Sequence, residues 1–252
     1  PGIPLGFGFT LEGVGGIIAL NRRMDTEALA LGLKQGAADA IMFPDDPVRD
    51  ALILIPQIDA YFPIDVGNTV IGPVVAIGWG APVSLVTAQI GVMISMPQGL
   101  IVILGSIAMA LPDPEVPIVE ITMDSMGVVD LANGTVTVAA SLYDSRLLGV
   151  IELSGDMAFH VATSPQPYFA LSIGGWHPSF QPPSILPSVF SELERMRACI
   201  ALTEDIGITL SAYLALTPNT VQFGGRFEIE ASVKVVLTTY TARGWFGFDV
   251  LL

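Results

Sequence analysis

The feature that most constrains this chain is a charge-free run from Val66 to Pro112. On length alone it would cover two membrane spans. Gly72-Pro73, Gly78, Gly80, Pro82, Pro97 and Gly99 cut it into pieces of 14 residues or fewer. Such pieces are too short for spanning helices, so no transmembrane helix is expected. They are rich in Val and Ile and read as strands over 70–78, 83–96 and 99–111. In the second, Val86, Ile90, Val92, Ile94 and Met96 share one side. In the third both sides are apolar, Leu100, Val102 and Leu104 against Ile101, Ile103 and Ile107, and a strand of that kind needs cover on both.

Alternation continues downstream. Residues 134–142 place Val136, Val138, Ala140 and Leu142 on one side, read as inward, and Thr135, Thr137 and Ser141 on the other. Residues 146–161 set Leu147, Ile151, Leu153, Met157, Phe159 and Val161 against Arg146, Glu152, Ser154, Asp156 and His160, a half-exposed strand with the polar side in water. A turn is expected at Tyr143-Asp144-Ser145. Near the end, 206–216, 221–237 and 242–251 alternate in the same way, with a break at Pro218-Asn219. Strands of 10 to 17 residues exceed the usual five or six and make a tall, curved or rolled sheet.

Helices are few. Asp25 is an N-cap candidate for 26–42, which Phe43-Pro44 ends. A second is expected over 46–62, with Pro47 in the first turn and Pro56 inside. A third, short one is expected over 188–197, following a proline-rich linker from 177. The order is segregated, so the expected fold class is mostly β or α+β: a long antiparallel meander forming a curved, rolled or U-shaped sheet covered by two or three short helices. All of it reads as one β-rich domain, 1–252, with a helical insertion at 25–62.

The glycine-dense "GFGFTLEGVGG" at 6–16 lacks the spacing and the following helix that a dinucleotide loop requires. Leu5, Phe7, Phe9 and Leu11 alternate with Gly6, Gly8 and Thr10, so it reads as a strand whose bare side admits a close backbone, with a bend or bulge at Gly13 to Gly16. Together "GFGFTLEGVGGIIALNR", "MFPDD", "GPVVAIGWGAP", "LSIGGWHPSFQPP" and "TPNTVQFGGR…GFDVLL" resemble a family of large, uncharacterised bacterial proteins known only as a domain of unknown function. The resemblance covers nearly the whole chain and implies no activity for any residue. It implies that the chain is the C-terminal part of a longer bacterial protein, as Pro1 in place of an initiator methionine also suggests.

Composition narrows function by exclusion. Ten Lys and Arg against 24 Asp and Glu give a net charge of -14, with only Arg22-Arg23 adjacent among the arginines and lysines. No nucleic-acid partner is expected, because counterion release needs clustered cations. No enzyme is expected either. His160 reads as a solvated strand residue, and no histidine pair has metal spacing. Asp45, Asp46 and Asp50 read as helix caps, Cys199 as a small core residue, and no G-x-S-x-G elbow occurs. Trp176 and His177 are the loop candidates, with His177 beside the aromatic ring either orienting a ligand or acting as a base, or else simply bonding a loop carbonyl.

With 52% hydrophobic and 13% charged residues, the chain carries more apolar side chain than one thin core requires. The expected function is a non-catalytic binding module, without cofactor or metal, that holds or conducts a hydrophobic ligand, lipid or acyl chain, in an apolar β groove. Its lining is expected from Met93, Met96, Leu100, Val102, Ile103, Met109, Met157, Phe159, Phe223 and Phe227, with methionines supplying adaptable surface. The alternative is a structural module packing against other parts of a large bacterial protein or against copies of itself.

Overall fold

A computed structural model describes residues 2–33, 42, 49, 51–80, 82–163, 166–203, 205–235 and 238–252. It is one antiparallel sheet of 13 strands, ordered almost as the chain runs. The strands are β1 (Ile3–Gly6), β2 (Phe9–Arg22), β3 (Ile64–Trp79), β4 (Val86–Met96), β5 (Leu100–Leu111), β6 (Val119–Asp130) and β7 (Thr135–Leu147). They continue as β8 (Ile151–Ala162), β9 (Tyr168–Ile173), β10 (Met196–Ala201), β11 (Ile206–Thr217), β12 (Thr220–Val235) and β13 (Thr238–Leu251). Among the described residues two helices, α1 (Thr26–Leu33) and α2 (Ala51–Tyr61), separate β2 from β3.

The stretch Leu5 to Leu11, expected as one alternating strand, is instead a hairpin, because the positive φ that glycine permits lets the chain reverse there. Phe7 and Gly8 turn the chain with positive φ between β1 and β2. β2 then runs straight through Gly13–Gly16, with its bulge at Leu11/Gly13 rather than a terminating bend. A Cβ on Gly16 would lie 3.0 Å from the Gly72 carbonyl oxygen, so the bare position does serve a close backbone approach.

β9 and β10 share a single track between β8 and β11. β9 pairs with the C-terminal halves of both neighbours and β10 with their N-terminal halves, Ile173 lying opposite Leu214 and Met196 opposite Ala212. The chain therefore leaves a strand row after Ile173, makes an excursion over 174–195, and re-enters the same row. The helix expected at 188–197 is only a 3-10 turn, Ser188–Ser191, and Met196 onward is strand. Its helical periodicity loses to the ladder hydrogen bonds left unmade on β8 and β11.

Because directly opposed residues share a side, the register divides the sheet into two faces. The row Val74, Gly91, Leu104, Met126, Ala139, Ala158, Ser172 and Ala215 crosses one. α1 and α2 lie on this face: Leu29 and Phe62 pack with Val70, Val74, Met93, Val102, Leu104 and Met126, all at most 4% exposed. Asp25 begins α1 by accepting the Ala28 amide on its carboxylate at 3.1 Å, as its capping role requires. The excursion covers the middle of the same face, where Phe190 seals Ala158 and Ala170. The expected helical spans 34–41, 43–48 and 50, with Asp45, Asp46 and Asp50, lie outside the described residues.

Two further expectations are corrected. The β7–β8 turn falls at Leu148–Val150, while Tyr143–Asp144 form a bulge between Leu142 and Ser145. His160 is 4% exposed, not solvated, because its side is the one that receives the cover.

Candidate binding surfaces

The second face is built by the residues alternating with that core. One row reads Ile103, Gly127, Val138, Phe159, Leu171, Leu216, Val221, and another Ile90, Gly105, Ser125, Ala140, Met157, Ile173, Leu214, Phe223, Val250. From β2 to β13 no Asp, Glu, Lys or Arg occupies a registered position on this side among the described residues. Nothing described covers it: Ile90, Ile103, Phe227 and Ile229 are each 40–41% exposed, whereas Val102 and Leu104, beside Ile103 on β5, are at 0% and 1%. The local cause is strand periodicity, which throws alternate side chains to opposite sides.

Of the residues expected to line a groove, Met96, Ile103, Met109, Met157, Phe159, Phe223 and Phe227 lie on this uncovered side. Ile103 shares a row with Phe159, and Met157 shares one with Phe223. Met93, Leu100 and Val102 fall on the other side, where Met93 and Val102 are wholly buried beneath the helices and Leu100 packs against them. They belong to the protein's own core, because parity along β4 and β5 forbids them the open face. Sequence reasoning left out Ile71, Leu210 and Leu214, which continue the uncovered side; their membership follows only from cross-strand register.

The loop candidates have structural partners. Trp176 packs against Phe180 and Phe190, ring centroids 5.1 and 5.8 Å away, and donates Nε1–H to the Phe190 carbonyl at 3.1 Å. His177 donates its amide to Gln222 and accepts the Ser179 amide on Nδ1 at 3.1 Å. Thus His177 receives a loop N–H rather than bonding a carbonyl.

Where the excursion leaves the sheet, the helix-bearing face opens into a polar cleft of about 690 Å³ that includes Arg195, Arg197, Tyr213, Arg226, Trp245 and Asp249. Arg195 ties both ends of the interrupted row, donating to the Gly174 and Trp176 carbonyls at 2.7 and 2.6 Å, with its guanidinium 3.8 Å from the Tyr213 ring centroid. Tyr213 donates to Asp249 at 2.9 Å; burial, and then that bond, push its phenol up to about 12. It is held as a donor at neutral pH. Asp156 on β8 accepts the Ser141 hydroxyl at 2.7 Å and the Glu194 amide at 3.0 Å, fastening the other side of the break. A neighbouring cleft of about 540 Å³ exposes Cys199, which is half-buried on the polar side and not in the core. Sequence alternation marks these side chains as polar-facing, but only register brings them together.

Among the described residues no group of three potential metal ligands occurs, and no helix is long and apolar enough to cross a membrane. Among the described residues, fold and surfaces define an antiparallel β-sheet protein with one helix-bearing face and one face that is uncovered and carries no charge at its registered positions. The chain belongs to a family of unknown function (DUF6603), whose sequence profile matches residues 1–252. No curated protein and no solved structure matches it significantly.

Proposed function

We propose that the chain is a non-catalytic binding module that holds acyl chains, as lipid, against the uncharged side of its sheet. The observation that carries this reading is the continuity of that side: eleven strand tracks, β2 to β13, without a charge at a registered position, at about 4.8 Å per strand, span on the order of 50 Å. Apolar patches on monomers rarely exceed a few hundred Å², and larger ones mark interaction sites. Each methylene transferred from water contributes about 0.8 kcal/mol, so chains can be held without any charged contact. Met96, Met109, Met123 and Met157 give the side adaptable, polarisable surface.

Organic extraction of the natively purified chain, followed by mass spectrometry, tests it. Acyl lipids are expected to co-purify, and Ile103→Glu with Phe227→Glu is expected to deplete them while far-UV circular dichroism stays unchanged. A lipid-free, folded wild-type chain overturns the proposal. A second reading, a structural module whose uncharged side packs on another protein surface, is favoured by the outer edges of β1 and β13, which pair with no further strand among the described residues and leave room for a neighbour to continue the sheet. It predicts lipid-free protein that self-associates through this side.

A further inference from the structure

The outer edge of β13 has features that neither the uncharged side nor the polar cleft accounts for. β13 pairs with β12 on one side through a register without a shift, and its other side has no partner strand among the described residues. Free edges are normally blunted by lysine, proline or a bulge. From Tyr240 to Leu251 there is no lysine or proline, and the only charges are Arg243 and Asp249. Tyr240, Trp245 and Phe246 are 64%, 64% and 73% exposed.

We infer that this edge pairs with the same edge of a second copy, antiparallel, on a two-fold axis at Phe246. In that register Arg243 lies opposite Asp249 of the second copy, and Asp249 opposite its Arg243. All charges on the edge are then matched, twice by symmetry. Shifting the register by two residues, the smallest step that keeps each side chain on its own side, opposes each charge to an uncharged residue. Both groups have capacity to spare: Arg243 donates Nε–H to Glu230 at 2.8 Å and has two further nitrogens, and Asp249 accepts the Tyr213 hydroxyl on Oδ1 and has a second oxygen.

A second observation comes from Gly244. Its φ is not positive, and a Cβ there would meet its nearest neighbour, Ile229, at 3.5 Å, an ordinary contact. Its own chain does not require glycine, which weakens a strand interior. In the proposed register Gly244 faces Phe248 of the second copy, whose ring lies over Gly225 of its own β12 and against Phe223, and turns outward on pairing to fill the space over Gly244. Trp245 likewise faces Gly247. The other free edge, β1, is a poorer partner: it offers Ile3–Gly6, with no charge to match.

The contact uses the edge and does not rest on the acyl-chain reading. Phe246 stands on the axis, so the two Cα atoms meet at the separation a disulfide spans. In a Cys199→Ser background, Phe246→Cys is expected to cross-link on oxidation. Tyr240→Cys, about 40 Å from its symmetry mate at 3.3 Å per residue, is not. By sedimentation the 252-residue wild-type chain is expected to dimerise. Arg243→Asp and Asp249→Arg should each weaken dimerisation at least tenfold, through two like-charge contacts, and the mixture of the two should form a heterodimer with both contacts restored. A monomeric wild type, a Phe246→Cys that cross-links no better than Tyr240→Cys, or a mixture that stays monomeric overturns the inference, whatever lipid extraction gives.

Discussion

On β5, Val102 and Leu104 are at 0% and 1% exposure, while Ile103 between them is at 40%. The three side chains are chemically alike and covalently adjacent. Along β5 the two faces therefore differ in what lies above them, not in hydrophobicity. One supports α1, α2 and the 174–195 excursion; the other supports nothing the chain itself supplies among its described residues. The lesson is that apolar patterning assigns a residue to a side and leaves open whether that side is an interior.

The sharpest way to break this comparison is truncation on each side. Leu104→Ala is expected to cost about 2–5 kcal/mol, the sum of lost transfer and a cavity, whereas Ile103→Ala in delipidated, monomeric protein should cost less than about 1 kcal/mol. Equal urea midpoints for the two would show that the open face is covered after all. Next in size, Arg195→Ala removes two charge-assisted bonds to carbonyls and the Tyr213 stack, for about 2–3 kcal/mol; Arg195→Lys, lacking the planar fork, should fall between. Asp25→Ala removes the α1 cap and should lower stability by about 1 kcal/mol.

The smallest expected effect concerns the covered face alone. Burial holds the His160 imidazole below its ordinary value of 6.5. As pH falls through 6.5, the unfolded chain gains a proton that the folded chain does not, so this residue's contribution is complete above 6.5 and declines below it, down to the folded value. Denaturant midpoints should drop between pH 7 and pH 5.5, and His160→Gln should flatten that slope. Asp130, held below the usual carboxylate value chiefly by the Asn133 side chain, acts in the same direction only at more acidic pH. An unchanged slope in the variant would mean that His160 is as solvated as the alternation of β8 alone suggests.

Much of the fold was legible. Long alternating strands, the break at Pro218–Asn219 and the Asp25 cap all follow from period, turn chemistry and spacing, whereas the hairpin turn at Phe7–Gly8 was hidden by an alternation that ran straight through it. β6 escaped notice because Glu120 and Asp124 interrupt an otherwise apolar stretch; Asp124 sits on the covered face, in the row of Ser106 and Ser141. β9 and β10 are six residues each and carry meaning only as two halves of one row. The candidate surface was legible in part: seven of ten expected residues share the open side, and the other three occupy the opposite side. The polar cleft was not legible, since Arg195, Tyr213 and Asp249 are joined by strand register across distant sequence.

What the sequence by itself determined is which side chains travel together: period-two alternation is written residue by residue, and it sorts Val136 from Thr137 without reference to any neighbour. Which group faces protein and which faces outward was decided only in three dimensions. Thr137, Ser141 and His160, read as solvent-facing, lie on the side where helices and excursion dock, and Val136, Val138 and Phe159 lie on the bare one. The physical reason is that burial belongs to a pair of surfaces, and a strand's own sequence encodes only one of them.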